Sequence, residues 1–257
     1  MRLVDTHSHL DVDAFDADRD AVVERARAAG VVAQVVAAID ADGWPRLREV
    51  CARHAGLHAT YGLHPLFLDA HRPEHLDRLR EWIERERPVA LGECGLDFYV
   101  DGLDADAQQA YFDAQLRLAA EYALPVVVHA RRAVEQVLLT IRRIADAHGP
   151  LRGVVHSYAG SAEQARQLWE HGFLIGIGGP VTYARANRIR RLVAEMPLEH
   201  LVLETDSPDQ PNADARGERN EPARIRGVLA AIAALRGEPE ATIAAATTAN
   251  AERLFNL

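Results

Sequence analysis

The histidines and carboxylates of this chain fall where short apolar runs stop. The first run ends in Asp5-Thr6-His7-Ser8-His9, and later runs end on His64, Glu93, His129, His156 and Asp206. His7 and His9 are two residues apart, and on an extended strand that spacing puts both imidazoles on one face, within reach of one cation. Taken singly, each histidine is as well explained by a cap or a hydrogen-bonded structural role. Jointly, His7, His9, Glu93, His129, His156 and Asp206 share one register at the ends of apolar runs, which points to a metal site. Nitrogen and oxygen donors without a thiolate suit Zn²⁺, Mn²⁺ or Mg²⁺. Six ligands exceed one tetrahedral shell and suit two divalent ions, which then need a bridging group.

Composition narrows that bridge. The 29 Lys+Arg residues are all arginine, so a carboxylated lysine cannot serve, and Glu93 at the end of the middle run is the best-placed carboxylate. The same absence excludes Schiff-base and pyridoxal-phosphate enzymes and phosphate loops ending in GK[ST]. Arginine does not replace lysine there, because it stays protonated. Cys51 and Cys94 make no disulfide framework. Cys94 follows Glu93, so on a strand it faces the other way and reads as a core residue. The net charge of −9 argues against a non-specific nucleic-acid clamp, though not against a nuclease whose local potential is set by bound cations. There is no apolar run of membrane-spanning length and no apolar leader after the first methionine. The expectation is a cytoplasmic protein without a membrane or an obligate protein partner.

The elements that must position these residues alternate along the chain. Strands are expected at 2–6, 31–39, 58–62, 90–92, 125–128, 153–155, 173–176 and 201–204. Helices are expected at 19–29, 43–54, 74–85, 106–123, 133–148, 162–171, 186–194 and 222–235, with one or two more in 238–257. Asp18 is placed to cap the first helix and Gly30 to end it, and Ser161 to start another. Eight strands alternating with eight helices in 257 residues imply a single domain, 1–257, with a TIM-like (β/α)8 barrel fold. Its metal site would lie at the C-terminal mouth of the strands. A doubly wound open sheet is the alternative. The segment 207–221 is a long polar connection, a length often tied to function.

The motifs resemble those of the TatD-type metal-dependent hydrolases, a branch of the amidohydrolase superfamily. The matching segments are VDTHSHLD at the start, YGLHP at 61–65, ALGECGLDFY at 90–99, PVVVHARR at 125–132, GVVHSYAGS at 153–161, IGIGG at 175–179, LVLETDSPD at 201–209 and RGERNEP at 216–222. They run in order over nearly the whole chain. The resemblance implies the barrel and a usually dinuclear site, with His7, His9, Glu93 and Asp206 on one ion and Glu93, His129 and His156 on the other. It implies metal-dependent DNA hydrolysis, often exonucleolytic on single strands. Leu66 stands where many members have a second histidine, and Ser157-Tyr158 stands where many have Cys-Phe or Gly-Phe. Both departures bear on substrate handling and neither on a ligand. The polymerase-and-histidinol-phosphatase type also opens with His-x-His, but it usually ends with Asp-x-His, which Glu204-Thr205-Asp206 lacks.

On this reading Glu93 and Asp206 are the catalytic carboxylates, Asp206 orienting a water and taking its proton. His64 and Arg131 are candidate phosphate contacts and Tyr158 a candidate base contact. Arg131 and Arg132 are otherwise a solvated helix start, and Tyr158 a packing residue. Glu204 either orients a ligand histidine or ends its strand in a salt bridge. Arg216 and Asn220 either close over substrate or pin their loop. Two other functions stay open: hydrolysis of a small amide, lactone or phosphoester by the same ions, and a non-catalytic metal scaffold.

Overall fold

The computed structural model describes residues 1–257. Eight strands, β1 (Leu3–Ser8), β2 (Val31–Ala37), β3 (Leu57–Tyr61), β4 (Ala90–Asp97), β5 (Val126–Arg131), β6 (Gly153–Val155), β7 (Phe173–Ile177) and β8 (Leu201–Leu203), form one sheet whose order follows the chain. Between them run α1 (Arg19–Ala28), α2 (Trp44–Arg53), α3 (Glu74–Glu86), α4 (Ala105–Tyr122), α5 (Val134–His148), α6 (Ala162–Glu170) and α7 (Asn187–Glu195). Then α8 (Ile225–Arg236) and α9 (Glu240–Phe255) close the chain. This is the TIM-like (β/α)8 fold. Its strands are continuous apolar runs because a parallel sheet is covered on both faces. No helix is long and apolar enough to cross a membrane.

The chain forms two compact units, each with its own packing. The first comprises Met1–Val36, Glu49–His58 and Ile175–Leu257. In it β1 pairs in parallel with β2, and β7 with β8. The helix α9 packs against β1 and β8. Thr248 Oγ1 donates to Arg2 O (2.9 Å), and Asn250 Nδ2 donates to Leu198 O (2.7 Å) and Leu201 O (2.9 Å). One extra helix therefore seals the N-terminal ends of the two strands that carry His7 and precede Asp206.

The second unit comprises Ala37–Arg48 and Ala59–Leu174. Trp44, Tyr61 and Trp82 form an aromatic cluster, with Tyr61 and Trp82 edge to face at 5.0 Å. Such a cluster adds about 0.5–1.5 kcal/mol per pair beyond the area it buries. Trp44 Nε1 donates to Gly62 O (3.1 Å), so the indole is buried without an orphaned N–H. The helix α4 starts at Asp104, whose carboxylate accepts from the Asp106 and Ala107 amides, and α6 starts at Ser161 with a full capping box completed by Gln164.

Two sequence-based expectations need correction. Asp18 stands at the N-cap of α1 but makes no side-chain cap, because its carboxylate is taken by Arg219 (2.7 and 2.8 Å) and Arg25 (3.3 Å). The strand expected at 90–92 continues to Asp97. The Gly-rich stretch 92–95 looked like a strand end, but Gly95 is there because a Cβ would meet His129 O at 2.0 Å. Close approach of β4 to β5, rather than a turn, demands that glycine.

Candidate metal and catalytic site

The second unit carries a cluster around Glu93. One of its carboxylate oxygens, Oε1, lies 3.0 Å from His64 Nε2, 2.9 Å from His129 Nδ1 and 2.8 Å from His156 Nε2. His129 Nδ1 and His156 Nε2 are 3.3 Å apart. Glu93 is 1% exposed, so these groups meet out of water. The Gly92–Glu93 peptide is cis. Two glutamines on one face of α4, seven residues and so two turns apart, hold the backbone beneath the cluster. Gln115 accepts from Leu63 N (2.8 Å) and donates to Leu63 O (3.2 Å), fixing the residue before His64. Gln108 accepts from Asp97 N (2.7 Å) and donates to Asp97 O (3.0 Å).

Asp97 is a member of this cluster that the sequence reading missed. Its Oδ2 accepts from His129 Nε2 (2.9 Å), while Oδ1 accepts from the Tyr99 and Val100 amides. Burial works against the carboxylate, but these hydrogen bonds hold its pKa below the ordinary value. Burial also opposes the His129 imidazolium, yet Asp97 and Glu93 raise the pKa of that ring. The N–H at Nε2 faces Asp97, so the Nδ1 side is the one turned toward Glu93 and available to a cation. The signal was present: Glu93, Gly95 and Asp97 alternate on one face of a strand.

The first unit carries a second cluster. His7 Nε2 and His9 Nε2 are 3.2 Å apart and lie 3.4 and 3.7 Å from Asp206 Oδ1. His9 N donates to Ser207 O (2.8 Å) and Asp206 N to His7 O (2.9 Å), an isolated parallel bridge between the end of β1 and the segment after β8. Asp5, fully buried, clamps this junction: it accepts from Thr205 N (3.0 Å), Thr205 Oγ1 (2.6 Å) and His7 N (3.3 Å). Burial pushes the Asp5 carboxyl up to about 7, against the pull of those hydrogen bonds. Asp206 has a left-handed backbone (φ 56°), so the strand alternation expected to put Glu204 on its face stops before it. Gln210 Nε2 donates to Asp206 Oδ2.

The remaining sequence candidates fall in different places. Arg131 ends β5 and Arg132 occupies a left-handed turn, so neither starts a helix; both guanidinium groups lie over the Tyr99 ring, at 3.7 and 4.7 Å. Tyr158 is 3% exposed and its hydroxyl donates to Ser161 O (2.6 Å), pinning the turn into α6 with no ring face open to a base. Cys94 is buried with Sγ toward Val127 O, and burial raises its thiol pKa well above the usual value. Asn220, 1% exposed, donates to Thr205 O and Asp209 O (both 2.8 Å) and so pins the long loop; Arg216 is exposed.

Both donor sets fit a divalent cation. Bonds of about 2.1 Å in a tetrahedral shell separate ligand atoms by about 3.4 Å. The three donor atoms of the His7–His9–Asp206 group are separated by 3.2, 3.4 and 3.7 Å, which matches that edge. His64, Glu93 and His129 likewise offer donor atoms close enough together for one ion. Asp97→Asn is expected to weaken metal binding roughly 10- to 100-fold, the usual effect of losing the partner of a ligand histidine. The Asn oxygen still accepts from Tyr99 N and Val100 N, so the turn survives and the loss reports on His129. Competition against a metal-sensing dye checks this, and wild-type affinity would reduce Asp97 to a turn former.

The family model for TatD related DNase matches residues 4–256. The chain is 39% identical over 259 residues to the protein named "uncharacterized metal-dependent hydrolase YjjV" of Escherichia coli (strain K12), covering 100% of this chain and 98% of that one. It is 36% identical over 247 residues to the "3'-5' ssDNA/RNA exonuclease TatD" of Cronobacter sakazakii, covering 94% and 93%. The crystal structure of YjjV, a TatD homologue from Escherichia coli K12, superposes with a TM-score of 0.95 at 38% identity, covering 100% of this chain and 98% of that one. The chain therefore belongs to the TatD-related DNase family of metal-dependent hydrolases.

Proposed function

We propose that the whole chain, 1–257, is one hydrolase domain that cleaves DNA phosphodiester bonds, exonucleolytically and with preference for single strands. The observation that carries this is the pair of nitrogen–oxygen clusters, centred on Glu93 Oε1 and on Asp206 Oδ1, in a chain similar to a protein named as a single-strand exonuclease. His7, His9 and Asp206 would hold a divalent ion in the first unit, and Glu93, His129 and His156 would hold one in the second. Divalent ions held there supply Lewis-acid activation of a water and neutralise charge on the phosphate oxygens. Asp206 orients the attacking water and takes its proton as the phosphorus–oxygen bond to the leaving nucleotide breaks. Gln210 Nε2 donates to Asp206 Oδ2 and so fixes the plane of the carboxylate, with Oδ1 turned toward His7 and His9. His64 stands against Glu93 Oε1 (3.0 Å) and would contact the substrate phosphate or a cation held there. The Arg131 fork contributes a second phosphate contact.

The test is incubation of the purified chain with end-labelled single-stranded DNA and Mg²⁺, Mn²⁺ or Zn²⁺. Mononucleotide release that stops with chelator is expected, and the label at the 3′ or 5′ end reads the polarity. Wild-type protein that binds metal but leaves DNA intact while hydrolysing bis(p-nitrophenyl) phosphate would overturn the nuclease reading. The net charge of −9 makes such a small phosphoester the second reading.

A further inference from the structure

We propose that Phe98, Tyr99, Arg131 and Arg132 form a preorganised subsite for one unpaired nucleotide, the rings taking the base and the guanidinium pair its phosphate. This rests on the nuclease reading above and names the feature that would make it select single strands.

Phe98 and Tyr99 are 41% and 47% exposed, directly after a strand that is buried throughout. Large exposed rings side by side are a cost unless something covers them. Arg131 and Arg132 stack on Tyr99, and neither guanidinium is used in an ion pair or a protein hydrogen bond. Stacking leaves the N–H edges of a guanidinium free to bind a phosphate in bidentate fashion. In a chain with net charge −9, two such unspent cations beside exposed rings are a local match for an anionic, aromatic ligand.

The subsite is tied to the Glu93 cluster by its backbone. Asp97 accepts from Tyr99 N with one oxygen and from His129 Nε2 with the other. Phe98 N donates to Arg131 O (2.9 Å), and Arg131 lies two residues after His129 on the same strand. A nucleotide seated on Tyr99 is thus held at a fixed distance from the reacting phosphate. Only an unstacked base offers its face to such a ring, so a duplex is excluded without any base-edge contact.

The test is fluorescence anisotropy of the as-purified chain with a cleavage-resistant phosphorothioate oligothymidylate, an abasic strand of equal length, and a duplex. Wild type is expected to bind the oligothymidylate at least about tenfold tighter than the abasic strand, the scale of one stacked base. Tyr99→Ala should erase that preference and Tyr99→Phe should keep it. The double variant Arg131→Gln, Arg132→Gln should weaken both strands alike. A Tyr99→Ala protein that keeps the wild-type preference, or a wild type that shows none, overturns the proposal. The nuclease reading fails separately, if the metal-loaded wild type leaves DNA intact while its binding preference persists.

Discussion

Glu93→Gln is expected to reduce hydrolysis by on the order of 10³-fold or more, because metal activation of the water is worth several kcal/mol and each 1.36 kcal/mol is tenfold. Glutamine keeps the size of the side chain but removes the charge on which His64, His129 and His156 converge at 2.8–3.0 Å. A neutral amide oxygen is a poor ligand for a divalent cation, and its NH2 would face imidazole nitrogens that must present lone pairs. Loss of bound metal should accompany loss of activity, read by elemental analysis of the purified variant. The fold should persist, since glutamine keeps the volume of the side chain and its amide can still hydrogen-bond to the surrounding imidazoles, and circular dichroism can confirm it. Activity within tenfold of wild type, with unchanged metal content, would remove Glu93 from the centre.

The alternation of strands and helices was legible because a covered parallel sheet requires unbroken apolar runs, and β6 matches its expected bounds of 153–155. Strand ends were less legible. At β4 the glycines that read as a terminus are demanded by the proximity of β5, so the strand runs on and Asp97 was left out of the site. At β8 the reverse happened: alternation was extended to Asp206, but the chain turns left-handed there and the carboxylate reaches its partners from a turn. The supporting residues were the hardest to see. Gln108 and Gln115 look like ordinary polar positions in α4, and only the fold shows their amides matched to the N–H and C=O of Asp97 and Leu63. Tyr158 was left open between a base contact and a packing residue, and a ring 3% exposed with its hydroxyl donated to Ser161 O takes the packing role. An exposed ring does stand at Tyr99, 47% exposed, which the same reading treated only as part of a family motif.

Asp206→Asn is expected to lower kcat by about 10²- to 10⁴-fold, the range for removing a positioned general base. The choice of asparagine matters. Asp206 has φ 56°, a region asparagine tolerates about as well as aspartate and alanine does not, so the variant tests chemistry rather than backbone strain. The backbone links from Asp206 N to His7 O and from Asp209 N to Asp206 O are untouched by the change. The amide cannot satisfy both sides of the carboxylate it replaces. If its oxygen accepts from Gln210, its NH2 points at His7 and His9; if it is turned over, two NH2 groups meet. A charge of one is lost from the His7–His9 group, so metal held there should weaken while metal held by the Glu93 cluster is retained. Partial metal content combined with a large fall in kcat and a small change in KM is therefore the expected signature. A variant that loses all its metal would make Asp206 a ligand alone, and one with near wild-type kcat would assign the proton to another group.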